Sequence, residues 1–232
     1  MATGMQLRDM LAALRAETGK SQSGAMGTAE RDTLVYLLRS RQEHIYAEHD
    51  WPFLLVDRDI PLLTGSRFYA FPTDMAFDYV NAAWVREGSP PGTWLPVYWG
   101  VGPEEYNGSD SDAGETSWPV RKWHVRDGGL EVWPNPSQPG TLRLRGRRAL
   151  APLVDDDDVS TLDGQVIVLF AAAEVLARQK TEDASLKLAK AQRLLRSILA
   201  RQGANKSTPL IIGGGPPPGP GGAARPPIRA PR

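Results

Sequence analysis

Imidazoles and carboxylates are the groups with which this chain could do chemistry, and their spacing decides what chemistry is open to it. The three histidines are His44, His49 and His124. His44 and His49 stand five residues apart near the end of a helical pattern, off the i,i+4 spacing that lets two imidazoles share a metal ion, and no third ligand accompanies them. The run Asp155–Asp158 is a concentrated negative charge. A calcium loop, however, spaces its ligands around a sharp glycine turn, and this run has neither feature. It reads as a solvated connection into a following helix that Asp163 or Ser160 would cap. Glu104, Glu105, Asp110, Asp112 and Glu115 crowd the segment "GPEEYNGSDSDAGETSW", which holds carboxylates enough for a glycosidase pair but has the composition of an exposed, mobile loop. "GGGPPPGPGG" follows no strand, opens no helix and lacks the closing Lys-Ser/Thr of a phosphate loop. No Ser-His-Asp set has a recognisable local context. With no cysteine there is no thiolate nucleophile, no thiolate metal site and no disulfide, which suits a reducing cytoplasm. The expectation is a protein that is not an enzyme and takes neither metal nor cofactor.

The remaining chemical feature is aromatic. All seven tryptophans fall between Trp51 and Trp133, among strand-length pieces separated by Pro, Gly and Asn: "FLLVDRDI", "RFYAF", "DYVNAAWV", "LPVYWGV", "RKWHV", "LEVW" and "TLRLRG". Turn signals at such short intervals predict an antiparallel sheet or sandwich. The tryptophans would then be its core, or else a stacking platform for a sugar or a single strand. "VRDGGLEV" predicts a hairpin in which Trp123 and Val125 face Leu130 and Val132 across the turn at Asp127-Gly128-Gly129. "LEVWPNPSQPGTLRLR" reads as strand, turn, strand. Its "QPGT" suits a type II turn with Gly140 at positive φ, and beyond it Leu142 and Leu144 face inward while Arg143, Arg145 and Arg147 face outward.

Helical patterns flank this region. Leu7, Met10, Leu11 and Leu14 form one stripe, and a flexible breaker follows at 18–27. A second helix, capped by Thr28, runs to about His49 with Leu34, Leu37, Leu38, Arg41 and Ile45 along one side, and Trp51-Pro52 ends it. "QVIVLFAAAEVLA" is apolar nearly all round and predicts a central buried helix, with Leu169 and Phe170 in its core. The last helix carries Leu188, Ala191, Leu195 and Ile198 inward. The expected fold is α+β: a helical bundle from both ends of the chain (1–50 and 155–203), an inserted antiparallel β module (51–154), and a disordered Pro/Gly-rich tail (204–232). No secretory signal is expected, and the longest apolar run is too short for a bilayer, so no membrane partner is expected either. The formal charge is zero but unevenly placed: no acidic residue follows Asp183, so the last 49 residues carry +9 and the first 183 carry −9.

The order of the pieces is more telling than any one of them. A helical start, "HDWPFL" at the helix-to-strand junction, "FYAFPTDMAFDYVNAAWV", then "PVRKWHVRDGGLEVWPNPSQPGTLRLRGRRALAPLVDDDDVSTLDG" and the helix "QVIVLFAAAEVLARQ" follow one another over about residues 5–202. This order resembles the head-to-tail adaptor proteins of tailed bacteriophages, the connectors, tail-tubular and gatekeeper-ring proteins beneath the portal. The resemblance implies a non-enzymatic virion part at the neck. Its partners would be further copies of itself in a ring of about twelve, the portal protein above, tail or nozzle proteins below, and DNA passing without sequence-specific contact. It makes the "WPNPSQPG" stretch construction material, with Trp133, Pro134 and Pro136 at a subunit or tail interface. The tail at 204–232 has no counterpart in that pattern. Its apolar spots Leu210, Ile211, Ile212 and Ile228 and its basic Arg225, Arg229 and Arg232 are expected to dock on portal or on a neighbouring subunit. The competing reading is a carbohydrate- or peptide-binding β module with helical flanks.

Overall fold

A computed structural model describes residues 4–20, 28–88 and 92–204. The fold is α+β. Helices α1 (Leu7–Glu17) and α2 (Thr28–Glu48) precede nine strands, and α3 (Gly164–Arg178) and α4 (Asp183–Ala204) follow them. The strands are β1 (Leu55–Leu62), β2 (Phe68–Ala70), β3 (Met75–Glu87), β4 (Leu95–Trp99), β5 (Thr116–Ser117), β6 (Lys122–Arg126), β7 (Gly129–Trp133), β8 (Asn135–Pro136) and β9 (Gly140–Arg148). The side chain of the expected cap Thr28, most of the breaker at 18–27 and all of 205–232 lie outside the described residues.

The helices meet where the apolar stripes require. Leu7, Met10, Leu11 and Leu14 of α1, Leu34, Leu37, Leu38 and Ile45 of α2, and Val166, Ile167, Ala171 and Ala172 of α3 share one buried cluster with Leu195 and Ile198 of α4. Asp163 caps α3, its carboxylate accepting from the backbone N–H of Gln165 and Val166. Two expected core positions differ. Phe170 is half-buried and Leu188 is exposed, both lining a groove between α2, α3 and α4 with Arg41.

The larger sheet has seven strands in the order β1-β9-β3-β4-β6-β7-β2, and β5 and β8 form a separate short pair. It is mostly antiparallel, but β4–β6 and β5–β8 run parallel, which the turn signals do not reveal. Flat, six strand spacings would hold β1 and β2 about 29 Å apart. Yet only residues 63–67 join them, a reach of about 20 Å. The sheet therefore curls, and Leu62, Val85, Val97, Trp123, Leu130, Val132, Leu142 and Leu144 meet in a second buried cluster.

The β6–β7 hairpin has the expected register, Trp123 opposite Val132 and Val125 opposite Leu130. Asp127 (φ 50°) and Gly128 (φ 73°) form its turn, and Gly129 already belongs to the strand. The stretch 130–145 is not a hairpin. β7 pairs with β6 and β2, β9 lies between β1 and β3, and the proline segment crosses from one part of the sheet to the other. Gly140 is not at positive φ. It begins β9, where a Cβ would come within 2.5 Å of the Trp118 ring and 2.8 Å of the Arg86 carbonyl, so close packing is what requires glycine there. Arg147, expected outward with Arg143 and Arg145, is buried at the seam with the helices.

That seam is a ladder of side chains from α2. Tyr46 donates to the Arg148 carbonyl (2.9 Å), Gln42 to the Ala151 carbonyl (3.1 Å) and Arg39 to the Leu153 carbonyl. The Gln42 oxygen also accepts from the Thr161 N–H (3.2 Å). Positions 39, 42 and 46 recur at three- and four-residue spacing, so one edge of α2 holds the whole link between β9 and α3. Gln42 is 2% exposed, and Gln42→Leu would take away the protein partners of the Ala151 carbonyl and the Thr161 N–H. A loss of about 2 kcal/mol in urea-denaturation stability is expected; an unchanged midpoint would show that water replaces those bonds.

Candidate functional site

The acidic run that sequence reading made a solvated connector is a fastening. The backbone carbonyls of Asp158 and Asp156 accept from the N–H groups of Leu7 (2.8 Å) and Arg8 (3.1 Å), which supplies the partners that the first turn of α1 lacks. The side chains of Asp157 and Asp156 pair with Arg8 and Arg31, and Asp158 accepts from the N–H of Val154 and Asp155. Those two backbone donors hold the Asp158 carboxyl below its ordinary value. Asp155, Asp156 and Asp157 remain exposed, so the run is both solvated and tied to α1 and α2. Among the described residues no group of three or more His, Cys, Asp or Glu is arranged to hold a metal. His44 and His49 each lie 3.7 Å from Glu48.

The acidic segment 104–115 is also ordered by what it touches. Glu105 is buried, accepts from the Gly102 N–H (2.8 Å) and pairs with Lys122, which lowers its carboxyl from the usual range. Beneath the segment, Glu131 is fully buried and accepts from Tyr106 (2.7 Å) and Arg67 (2.8 Å), with Arg126 3.5 Å from its other oxygen. Arg67 reaches on to Asp112 and lies over the Tyr106 ring. Of the carboxylates sequence reading weighed for glycoside hydrolysis, Glu105 and Asp112 bind the loop to Lys122 and Arg67, while Asp110 and Glu115 accept from backbone N–H groups within the loop. The loop also receives Trp133, whose indole N–H donates to the Ser109 carbonyl (3.0 Å). Trp133 is half-buried, and Pro134 and Pro136 are buried in the chain itself.

The outer face of β1, β9 and β3 carries a second array. Arg143 and Arg145 make two-pronged pairs with Asp59 and Asp57 across the β1–β9 register, at 2.6–2.8 Å. Their guanidinium groups stack on Trp94 (4.5 Å) and Trp84 (5.1 Å), and Arg86 shares the Trp94 ring. Two of the seven tryptophans are thus outside, held flat by arginine. Trp123 is core, and Trp99 packs edge-on against it at 4.5 Å while remaining 56% exposed. Alternation in "TLRLRG" made the outward arginines legible, but nothing local indicates which aspartates and rings meet them.

Taken together, these groups bind the chain to itself and leave broad ordered faces. The model of the SU10 adaptor protein family, a family of phage head-to-tail adaptors, matches residues 5–213. The chain belongs to that family. No curated protein matches it. The adaptor match extends past α4 to take in Leu210, Ile211 and Ile212, and stops before Arg225, Ile228, Arg229 and Arg232. All seven lie outside the described residues. No helix among the described residues is long and apolar enough to cross a membrane.

The outer array of this adaptor sets a pH dependence. Arg145 and Arg143 hold the Asp57 and Asp59 carboxyls below their ordinary values, chiefly by hydrogen bonding. Their contribution is complete above the unfolded carboxylate value, about 3.9, and is lost as pH falls through the lowered folded values. Between pH 5 and pH 3 the melting temperature of the Asp57→Asn/Asp59→Asn variant should therefore fall less than that of the parent. Parallel acid limbs by calorimetry would show that the pairs contribute nothing, as exposed pairs can.

Proposed function

We propose that this adaptor is a structural virion part that closes into a ring beneath the portal, continues the DNA channel and presents the attachment site for the tail. The family match over residues 5–213 carries this reading. In this reading 1–50 and 155–203 act as a helical body, 51–154 as a β module set between its halves, and 204–232 as a separate tail. A ring of heterologous contacts needs two unlike faces on each subunit. The arginine–tryptophan array is one available face, and the α4 surface with exposed Leu186 and Leu188 is another. The −9 charge of residues 1–183 fits a conduit, which must let phosphate slide without gripping it.

The tail is assigned to docking. Leu210, Ile211, Ile212 and Ile228 would fill apolar positions, and Arg225, Arg229 and Arg232 would meet acidic surface on portal or a neighbour. At the crossing segment a neighbour or tail protein would meet the exposed part of Trp133, backed by Pro134 and Pro136.

Native mass spectrometry of the chain with and without its cognate portal tests this. The expected result is a complex of one portal with a closed set of about twelve copies. A chain ending at Ala204 should remain folded and bind portal at least ten-fold more weakly. A strictly monomeric chain in the presence of portal would overturn the ring, and unchanged portal affinity after truncation would remove the tail from docking.

A further inference from the structure

The β side of the molecule carries a groove of about 490 Å³ beside the Glu105–Lys122 pair and the Trp133–Ser109 bond. Tyr98 and Trp133 flank it, Pro96 and Pro119 line it, and Lys122 lies between the two rings. Tyr98 pairs in register with Lys122, and Lys122 with Trp133, so the three form one outward row across β4, β6 and β7. Tyr98 and Trp133 are thus two strand spacings, about 9.6 Å, apart. Tyr98 is 66% exposed, while the Trp133 ring is held upright by its bond to Ser109. Glu105 and Lys122 neutralise each other, leaving Glu104 and Arg121 as the other charged groups lining the groove. Of the carboxylates between 104 and 115, Glu104 and Glu105 line the groove.

A groove flanked by two aromatic rings and lined by Pro96, Pro119 and Val120 has the chemistry that receives a left-handed polyproline helix. Such a helix has three residues per turn and rises 3.1 Å per residue, so side chains at i and i+3 lie on one side about 9 Å apart. That matches the separation of the Tyr98 and Trp133 positions. The chain's own sequence contains such a ligand. "PPPGP" at 216–220 sets Pro217 and Pro220 at i,i+3, and residues 205–232 carry Lys206, Arg225, Arg229 and Arg232 with no acidic residue. This proline-rich stretch lies beyond the family match, which ends at residue 213.

We infer that the groove between Tyr98 and Trp133 binds the Pro216–Pro220 segment of a neighbouring copy, with Pro217 on one ring, Pro220 on the other and a following arginine near Glu104. Residues 205–232 extended reach roughly 90 Å, about twice the width of a subunit of this size. The tail is therefore long enough to cross from one copy to the next. The inference rests on the ring reading only for the source of the segment. Binding itself is measured on the single chain, so that loss of binding counts against the groove and failure to form a ring counts against the assembly.

The probe is a fluorescent peptide of residues 214–232, titrated by anisotropy against the full chain and against a chain ending at Gly213. Saturable binding is expected, equal within two-fold for the two chains. It should weaken at least ten-fold on Tyr98→Ala, at an unchanged melting temperature, and at least ten-fold when alanine replaces Pro217 and Pro220 in the peptide. Glu104→Gln should weaken it two- to three-fold. Absence of saturable binding, or binding indifferent to Tyr98 and to the prolines, overturns the inference. Binding to the full chain ten-fold weaker than to the shortened one would mean that each copy fills its own groove, and overturns the assignment to a neighbour.

Discussion

The link between β9 and α3 is the constraint on which the rest of the structure depends. It anchors Leu153 and Leu162 in the helical core but has no regular backbone pairing of its own, so its carbonyls need partners. α2 supplies their partners in order, Tyr46 to Arg148, Gln42 to Ala151 and Arg39 to Leu153, and Arg31 then takes Asp156. The same link caps α1 through the carbonyls of Asp156 and Asp158. At its start, Arg147 donates to the Tyr46 carbonyl (2.9 Å) and to Asp50 (2.8 Å), stacked over Tyr79 at 4.1 Å. One polar edge of one helix therefore fixes how the apolar cluster of the helices meets the curled sheet. Burial is non-directional; these bonds are directional, and they set the register.

The sheet solves a different problem. Its inner face is apolar and closes on itself, while its outer face must stay soluble and still be stiff. Cross-strand pairing of Asp57 and Asp59 with Arg145 and Arg143, and stacking of those arginines on indole rings, gives a surface whose long side chains are already ordered. Contact with another subunit would then cost less side-chain entropy than a surface of free lysines would. For a protein of a phage adaptor family, ordered faces of this kind are a physical reason for rigid contact between parts.

Local periodicity made the helices and the β6–β7 hairpin legible. The stripe of α1, the core of α3 and the Asp-Gly turn are each set by residues within a few positions of one another. What was illegible is set at long range. Gly140 reads as a turn glycine until β9 is placed between β1 and β3, when the Trp118 ring and the Arg86 carbonyl become its neighbours. Arg147 continues an outward alternation and is buried only because α2 crosses the end of β9. Leu188 keeps helical phase with Ala191 and Leu195, but phase does not report that a groove is left open beside it between α2 and α4. The acidic run and the acidic loop look solvated because their partners, Arg8, Arg31, Lys122 and Arg67, are distant in sequence. Of the candidate groove, Trp133, Glu104 and Glu105 were singled out from sequence, the two glutamates for a different chemistry. Tyr98 joins it through the parallel β4–β6 pairing, which no turn motif announces.

An electron-microscopy reconstruction of the chain assembled on its cognate portal tests the adaptor account most directly. The account predicts a single closed ring below the portal, each copy retaining the link laid along α2, with the outer face of β1, β9 and β3 or the α4 face against a neighbour. An open or absent ring would contradict it, as would copies in which helices and sheet have separated at Arg147.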